Sequence, residues 1–92
     1  MPAISESEAR ARLAEVPGWD MGDKSLVRKL ALPSFSDAVA FVVKVAFVAE
    51  AADHHPDILI NYRRVTLTSW THTEGGITEK DFALAKEINK LI

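Results

Sequence analysis

The chain has 92 residues, of which 48% are hydrophobic, with 11 Lys and Arg against 13 Asp and Glu for a formal net charge of −2. That length holds one domain and excludes a multidomain enzyme, and the composition excludes a disordered chain. The basic residues are scattered, with Arg28-Lys29 and Arg63-Arg64 as the only adjacent pairs, so no stripe exists for a phosphate backbone and no nucleic-acid partner is expected.

Residues 1–12 lack the apolar core of a signal peptide. Residues 5–14 read as a short amphipathic helix, with Ser5 and Glu8 in capping-box register and Ala9, Leu13 and Val16 as its apolar stripe. Pro17-Gly18 ends it. Trp19 to Met21 begins a strand, Gly22-Asp23 makes a tight turn, and residues 25–32 alternate as a second strand. Ser34 and Asp37 open a long helix that runs to about Asp53. Between Ala38 and Ala52 its only polar residues are Lys44 and Glu50. A helix this apolar is expected to be covered on two sides, by the sheet and by a second subunit.

The apolar run 38–48 is broken by Lys44 and is too short to span a bilayer, so no membrane contact is expected. Pro56 disfavours helical geometry at His55 and stops the helix. Ile58, Ile60 and Tyr62 alternate along a third strand, which places Tyr62 in the core. Val65, Leu67 and Ser69 form one face of a fourth, and Thr66, Thr68, Trp70 and His72 form the other. After the Gly75-Gly76 loop, Thr78 and Asp81 cap a last helix that buries Leu84, Ala85, Ile88 and Leu91.

The order α-β-β-α-β-β-α, with strand pairs joined by tight turns, predicts a single α+β domain over residues 1–92. It has two layers, a four-stranded antiparallel sheet with helices on one face. With no cysteine available for disulfides, a domain this small is expected to gain stability by forming a homo-oligomer. A soluble cytoplasmic protein is the expectation, and the lack of cysteine fits a reducing compartment.

The histidines carry the functional signal. His54 and His55 lie at a helix end, and His72 lies at the end of a later strand. Imidazole exchanges protons near neutral pH, so three brought together point to general acid/base chemistry. Glu50, four residues before His54, is placed to orient it or raise its charge. Trp19 and Trp70 are the large aromatics available to stack on a flat heterocycle. Asp81 reads first as a helix N-terminal residue. A zinc site made from the histidines and Glu50 has suitable ligand types but not the usual spacing, and no metal is expected.

Glu50, His54-His55-Pro56, Tyr62, His72 and Asp81, with the run TLTSWTHTEGGITEKDFALA and the PGW at Pro17–Trp19, resemble the signature of the pterin-4a-carbinolamine dehydratases. The likeness covers nearly the whole chain. Arg63 stands where many relatives have Asn, a difference expected to affect the turn.

The resemblance implies the same fold, with dimers or tetramers formed through the long helix and the sheet edge. It implies loss of water from 4a-hydroxytetrahydropterin to give quinonoid dihydropterin, in tetrahydropterin recycling. The pterin is then the substrate, no cofactor is needed, and an aromatic amino acid hydroxylase is the partner that makes the adduct. By the same likeness His54 and His72 are acid/base residues, and His55 holds the substrate with a share of proton transfer. Glu50 orients or charges a histidine, Trp19 covers the pterin ring, and Asp81 shapes the site. Some relatives of this fold act instead as transcriptional co-activators or assembly chaperones. The chaperone type typically lacks the histidines, which makes a non-catalytic binding module the alternative reading.

Overall fold

A computed structural model describes residues 2–92. Helix α1 (Glu6–Ala11) and a 3₁₀ turn (Leu13–Glu15) lead into strands β1 (Trp19–Met21) and β2 (Leu26–Ala31). Helix α2 (Phe35–Ala52) crosses to β3 (Asp57–Asn61) and β4 (Arg64–Ser69). A second 3₁₀ turn (His72–Glu74) precedes α3 (Glu79–Asn89). The strands form one antiparallel sheet in the order β1-β2-β4-β3. The expected two-layer α+β architecture is therefore present.

Strand alternation divides the sheet into two faces. On β4, Val65, Leu67 and Ser69 are buried, while Thr66 and Thr68 between them are only half-buried. Register carries the covered face across the sheet, pairing Leu67 with Arg28 and Ile58, and Val65 with Leu30 and Ile60. Ala38, Phe41, Val45 and Ala49 of α2 and Phe82, Leu84, Ala85 and Ile88 of α3 complete the core. Each fully buried large aliphatic or aromatic side chain contributes about 1.5–3 kcal/mol.

Several local readings change. The first helix ends at Ala11, and its last expected turn tightens into the 3₁₀ segment before Pro17. Leu91 lies beyond α3 and is only half-buried. Tyr62 is not in the core: β3 stops at Asn61, and Tyr62 takes a left-handed φ of 57° in the hairpin turn with 69% of its surface exposed. The turn breaks the period-two alternation that would have sent its ring inward. In the PGW segment, Gly18 has φ +85°, and a Cβ there would lie 1.7 Å from the Arg28 guanidinium. The left-handed conformation favours glycine, and a side chain there would also have to displace the end of the flexible Arg28 side chain.

Helix α2 is covered on one side only within the chain. Phe35, Val39, Val43 and Phe47 follow one another at four-residue spacing on its outer face, exposed by 53%, 37%, 49% and 74%. Edge strand β3 adds exposed Ile58 and Leu59. No described helix is long and apolar enough to cross a membrane.

Arg12 ties the first helix to the last. Its guanidinium donates to both carboxylate oxygens of Glu79 and to Glu15, and sits 4.4 Å from the centre of the Phe82 ring. These bonds hold the Glu15 and Glu79 carboxyls below the ordinary carboxylate value and push Arg12 further up. Carboxyls depressed in the folded state add stability above their unfolded value and lose it as pH falls through the folded value. We therefore expect Arg12→Met to lower the Tm at neutral pH, with the gap to wild type narrowing in acid. Melting curves over a pH series check this; a gap that stays constant into acid would contradict the ion-pair account.

Candidate functional site

The end of α2 determines where the histidines go. Asp53 takes a left-handed conformation (φ 51°, ψ 41°), its N–H bonds to the Glu50 carbonyl, and the His54 N–H bonds to the Ala49 carbonyl. This is a Schellman closure, which ends a helix by turning the chain back across its last turn. Pro56 then releases the chain into β3. The reversal sends two adjacent imidazoles in different directions.

His54 points inward, and its Nε2 lies 2.6 Å from Oδ1 of Asp81. Asp81 is fully buried at the start of α3. It also accepts from the Ser69 hydroxyl at 2.6 Å, the Thr71 hydroxyl at 2.9 Å and the Thr78 backbone N–H at 2.9 Å. Four donors thus converge on one acceptor-only group. The hydroxyls form a relay in which Lys80 N–H donates to Thr78 Oγ1, Thr78 to Thr71, and Thr71 to Asp81. With a carboxylate as acceptor, His54 carries its proton on Nε2, and Nδ1 remains for other chemistry.

His55 turns outward, with Nε2 2.6 Å from Oε1 of Glu50. The two side chains are 56% and 77% exposed, so the pair is screened by water and adds little stability. Glu50 therefore does not orient His54, as four-residue helical spacing had implied. The helix ends at Ala52, and the reversal at Asp53 carries His54 off that face.

His72 was expected at a strand end. Instead β4 stops at Ser69, Thr71 pairs with Gly76, and His72 opens the second 3₁₀ turn. Its ring stacks on Trp70, with centroids 4.0 Å apart and planes tilted by 32°. Among the described residues neither ring nitrogen of His72 makes a hydrogen bond.

The three histidines line one recess of about 280 Å³ together with Asp53, Trp70, Thr71, Thr73 and Lys80. Glu50 and Asp81 stand behind two of the imidazoles. Trp19 is not among the lining residues in a single chain. It is buried, and its indole N–H donates to Asn89 at 2.9 Å. A hollow of about 350 Å³ bounded by Ile4, Met21 and Ile77 contains no histidine. Among the described residues no group of three His, Asp or Glu side chains is arranged to hold a metal ion.

Ser69, Thr71 and Thr78 were not singled out as site residues from sequence. The parity of β4 was a usable signal, because Ser69 continues the buried face of Val65 and Leu67. A buried hydroxyl there needs a partner. The site is a set of proton-exchanging groups around an open recess, two with a nitrogen committed to a carboxylate and one without.

Comparison with known proteins gives concordant results. A family model described as pterin 4 alpha carbinolamine dehydratase matches residues 2–91. A Chloroflexus aurantiacus protein with the provisional name pterin-4-alpha-carbinolamine dehydratase is 51% identical, covering 100% of this chain and 99% of its own. A Sulfolobus acidocaldarius protein with the same provisional name is 44% identical, over 96% and 97% of the two chains. A crystal structure from Brucella melitensis, described as a transcriptional coactivator/pterin dehydratase, aligns with a TM-score of 0.89 at 35% identity, covering 97% of each chain. A pterin dehydratase-like protein described as a RuBisCO assembly factor of the alpha-carboxysome shares the fold, with a TM-score of 0.68 at 24% identity over 84% of this chain and 92% of its own.

The Asp81 network predicts a stability effect. Asp81→Ala strands four buried or half-buried donors and should cost roughly 3 kcal/mol or more in urea unfolding. Asp81→Asn keeps one acceptor oxygen and should cost less. A loss below about 1 kcal/mol for the alanine variant would contradict the network.

Proposed function

The chain belongs to the pterin 4 alpha carbinolamine dehydratase family, and from that premise we propose that it dehydrates 4a-hydroxytetrahydropterin to quinonoid dihydropterin by histidine acid/base catalysis. The observation that carries this reading is the convergence of His54, His55 and His72 on one open recess.

The chemistry needs two proton movements. The C4a–O bond breaks, and the departing hydroxyl takes a proton from a general acid and leaves as water. A ring N–H of the pterin gives its proton to a general base. Oxidation level is unchanged, so the step needs neither an oxidant nor a reductant. Positioned imidazoles suit both roles near neutral pH. In our reading His54 and His72 exchange these protons. His54 works through Nδ1, with Asp81 holding the opposite side of its ring. His55 binds the substrate and shares in proton transfer, with Glu50 hydrogen-bonded to its ring. The substrate would come from an aromatic amino acid hydroxylase in the cytoplasm, and the product would be reduced for reuse.

The exposed apolar faces support self-association. Phe35, Val39, Val43 and Phe47 form a stripe that a second copy of α2 would cover. Edge strand β3 offers unpaired backbone groups for extension of the sheet. A homodimer or homotetramer would use one or both. The same stripe is the observation that favours the alternative reading, a binding module, and the Brucella relative's description names both roles. The histidine recess favours the enzyme.

Two experiments test the proposal. Chemically generated 4a-hydroxytetrahydropterin should lose water faster with the wild-type protein than in buffer, followed by ultraviolet absorbance. His54→Ala and His72→Ala, checked for folding by circular dichroism, should lower kcat about a hundred-fold or more. No acceleration by wild type would remove the dehydratase reading. In sedimentation, the wild type should run as a multiple of the 10.1 kDa chain, and Phe47→Glu should shift it toward the monomer. An unchanged mass for Phe47→Glu would take the α2 stripe out of the interface.

A further inference from the structure

The three imidazoles are held in different ways. His54 is fixed by buried Asp81, and His55 pairs with exposed Glu50, each through Nε2 at 2.6 Å. His72 is exposed and has no hydrogen-bonded neighbour among the described residues; the contact that defines its ring is the stack on Trp70 at 4.0 Å. An exposed histidine without a partner would sample several rotamers and spend little time facing a substrate.

The geometry points to Trp70 as the positioning residue of His72, holding the imidazole by a ring face so that both of its nitrogens stay free for the proton transfers of the proposed dehydration. Thr71, between the two rings, is extended (φ −101°, ψ 106°), which puts its neighbours' side chains on the same side of the chain. Two links pin Thr71: its backbone pairs with Gly76, and its hydroxyl bonds to buried Asp81. The backbone under the stack is therefore anchored to the same carboxylate that holds His54. Trp70 is itself half-buried and lines the recess beside His72. A carboxylate would occupy one nitrogen of the imidazole, whereas an aromatic face occupies neither.

This inference rests on the dehydratase reading, and its test includes an arm that does not. In proton magnetic resonance of the wild type, the His72 ring signals, assigned by their loss in His72→Gln, should be displaced upfield by the indole. Trp70→Leu should abolish the displacement, and Trp70→Phe should keep most of it. Ordinary His72 positions in the wild type would overturn the proposal whatever the activity. In kinetics, Trp70→Leu should lower kcat roughly ten-fold with KM changed by less than about two-fold, and Trp70→Phe should recover most of the rate. A rise in KM at constant kcat would make Trp70 a substrate shelf and overturn the positioning role, as would an unchanged kcat in folded Trp70→Leu. Trp70→Met, which keeps bulk without a ring, replaces the leucine variant if that does not fold. Absence of dehydration by the wild type would overturn the dehydratase reading and the kinetic half of this one, leaving the magnetic resonance arm to decide the stack.

Discussion

One buried carboxylate organises this domain. Asp81 lies at the start of α3 with no surface exposed, and donors reach it from β4, from the segment after β4, from the α3 cap and from the end of α2. A carboxylate in the interior is costly unless its lone pairs are met. Here they are met by groups from four parts of the chain. Burying the acid therefore also sets the position and ring orientation of His54.

The network also explains why neighbouring histidines differ. His54 lies against a sealed acceptor and is 11% exposed, so its ring has one orientation and one usable nitrogen. His55 pairs with a glutamate in water, and that contact is easily exchanged. His72 sits on an aromatic ring. Three residues of one type thus have three environments.

The outer surface of α2 raises a separate question of stability. A chain of 92 residues leaves four large apolar side chains exposed in a row along one helix face. The inner face of the helix uses Ala38 and Ala49 beside Phe41 and Val45, which lets it lie close to the sheet. The outer face carries its bulk in Phe35, Val39, Val43 and Phe47.

The element order, the strand alternation and the helix caps at Ser5, Ser34 and Thr78 were legible in the sequence, because each depends on residues within a few positions of one another. The grouping of the histidines was legible too, since they flank strands that pair. Their partners were not. Helical spacing pointed Glu50 at His54, but one left-handed residue at Asp53 reassigned it to His55 and gave His54 to a carboxylate 27 positions away. Alternation placed Tyr62 inside until a turn intervened, and nothing local distinguished Trp19, which is tied to Asn89, from Trp70, which faces the recess. Short-range preferences determine which elements form. Which side chains meet depends on where those elements end and how the sheet brings them together, and only the tertiary structure decides that.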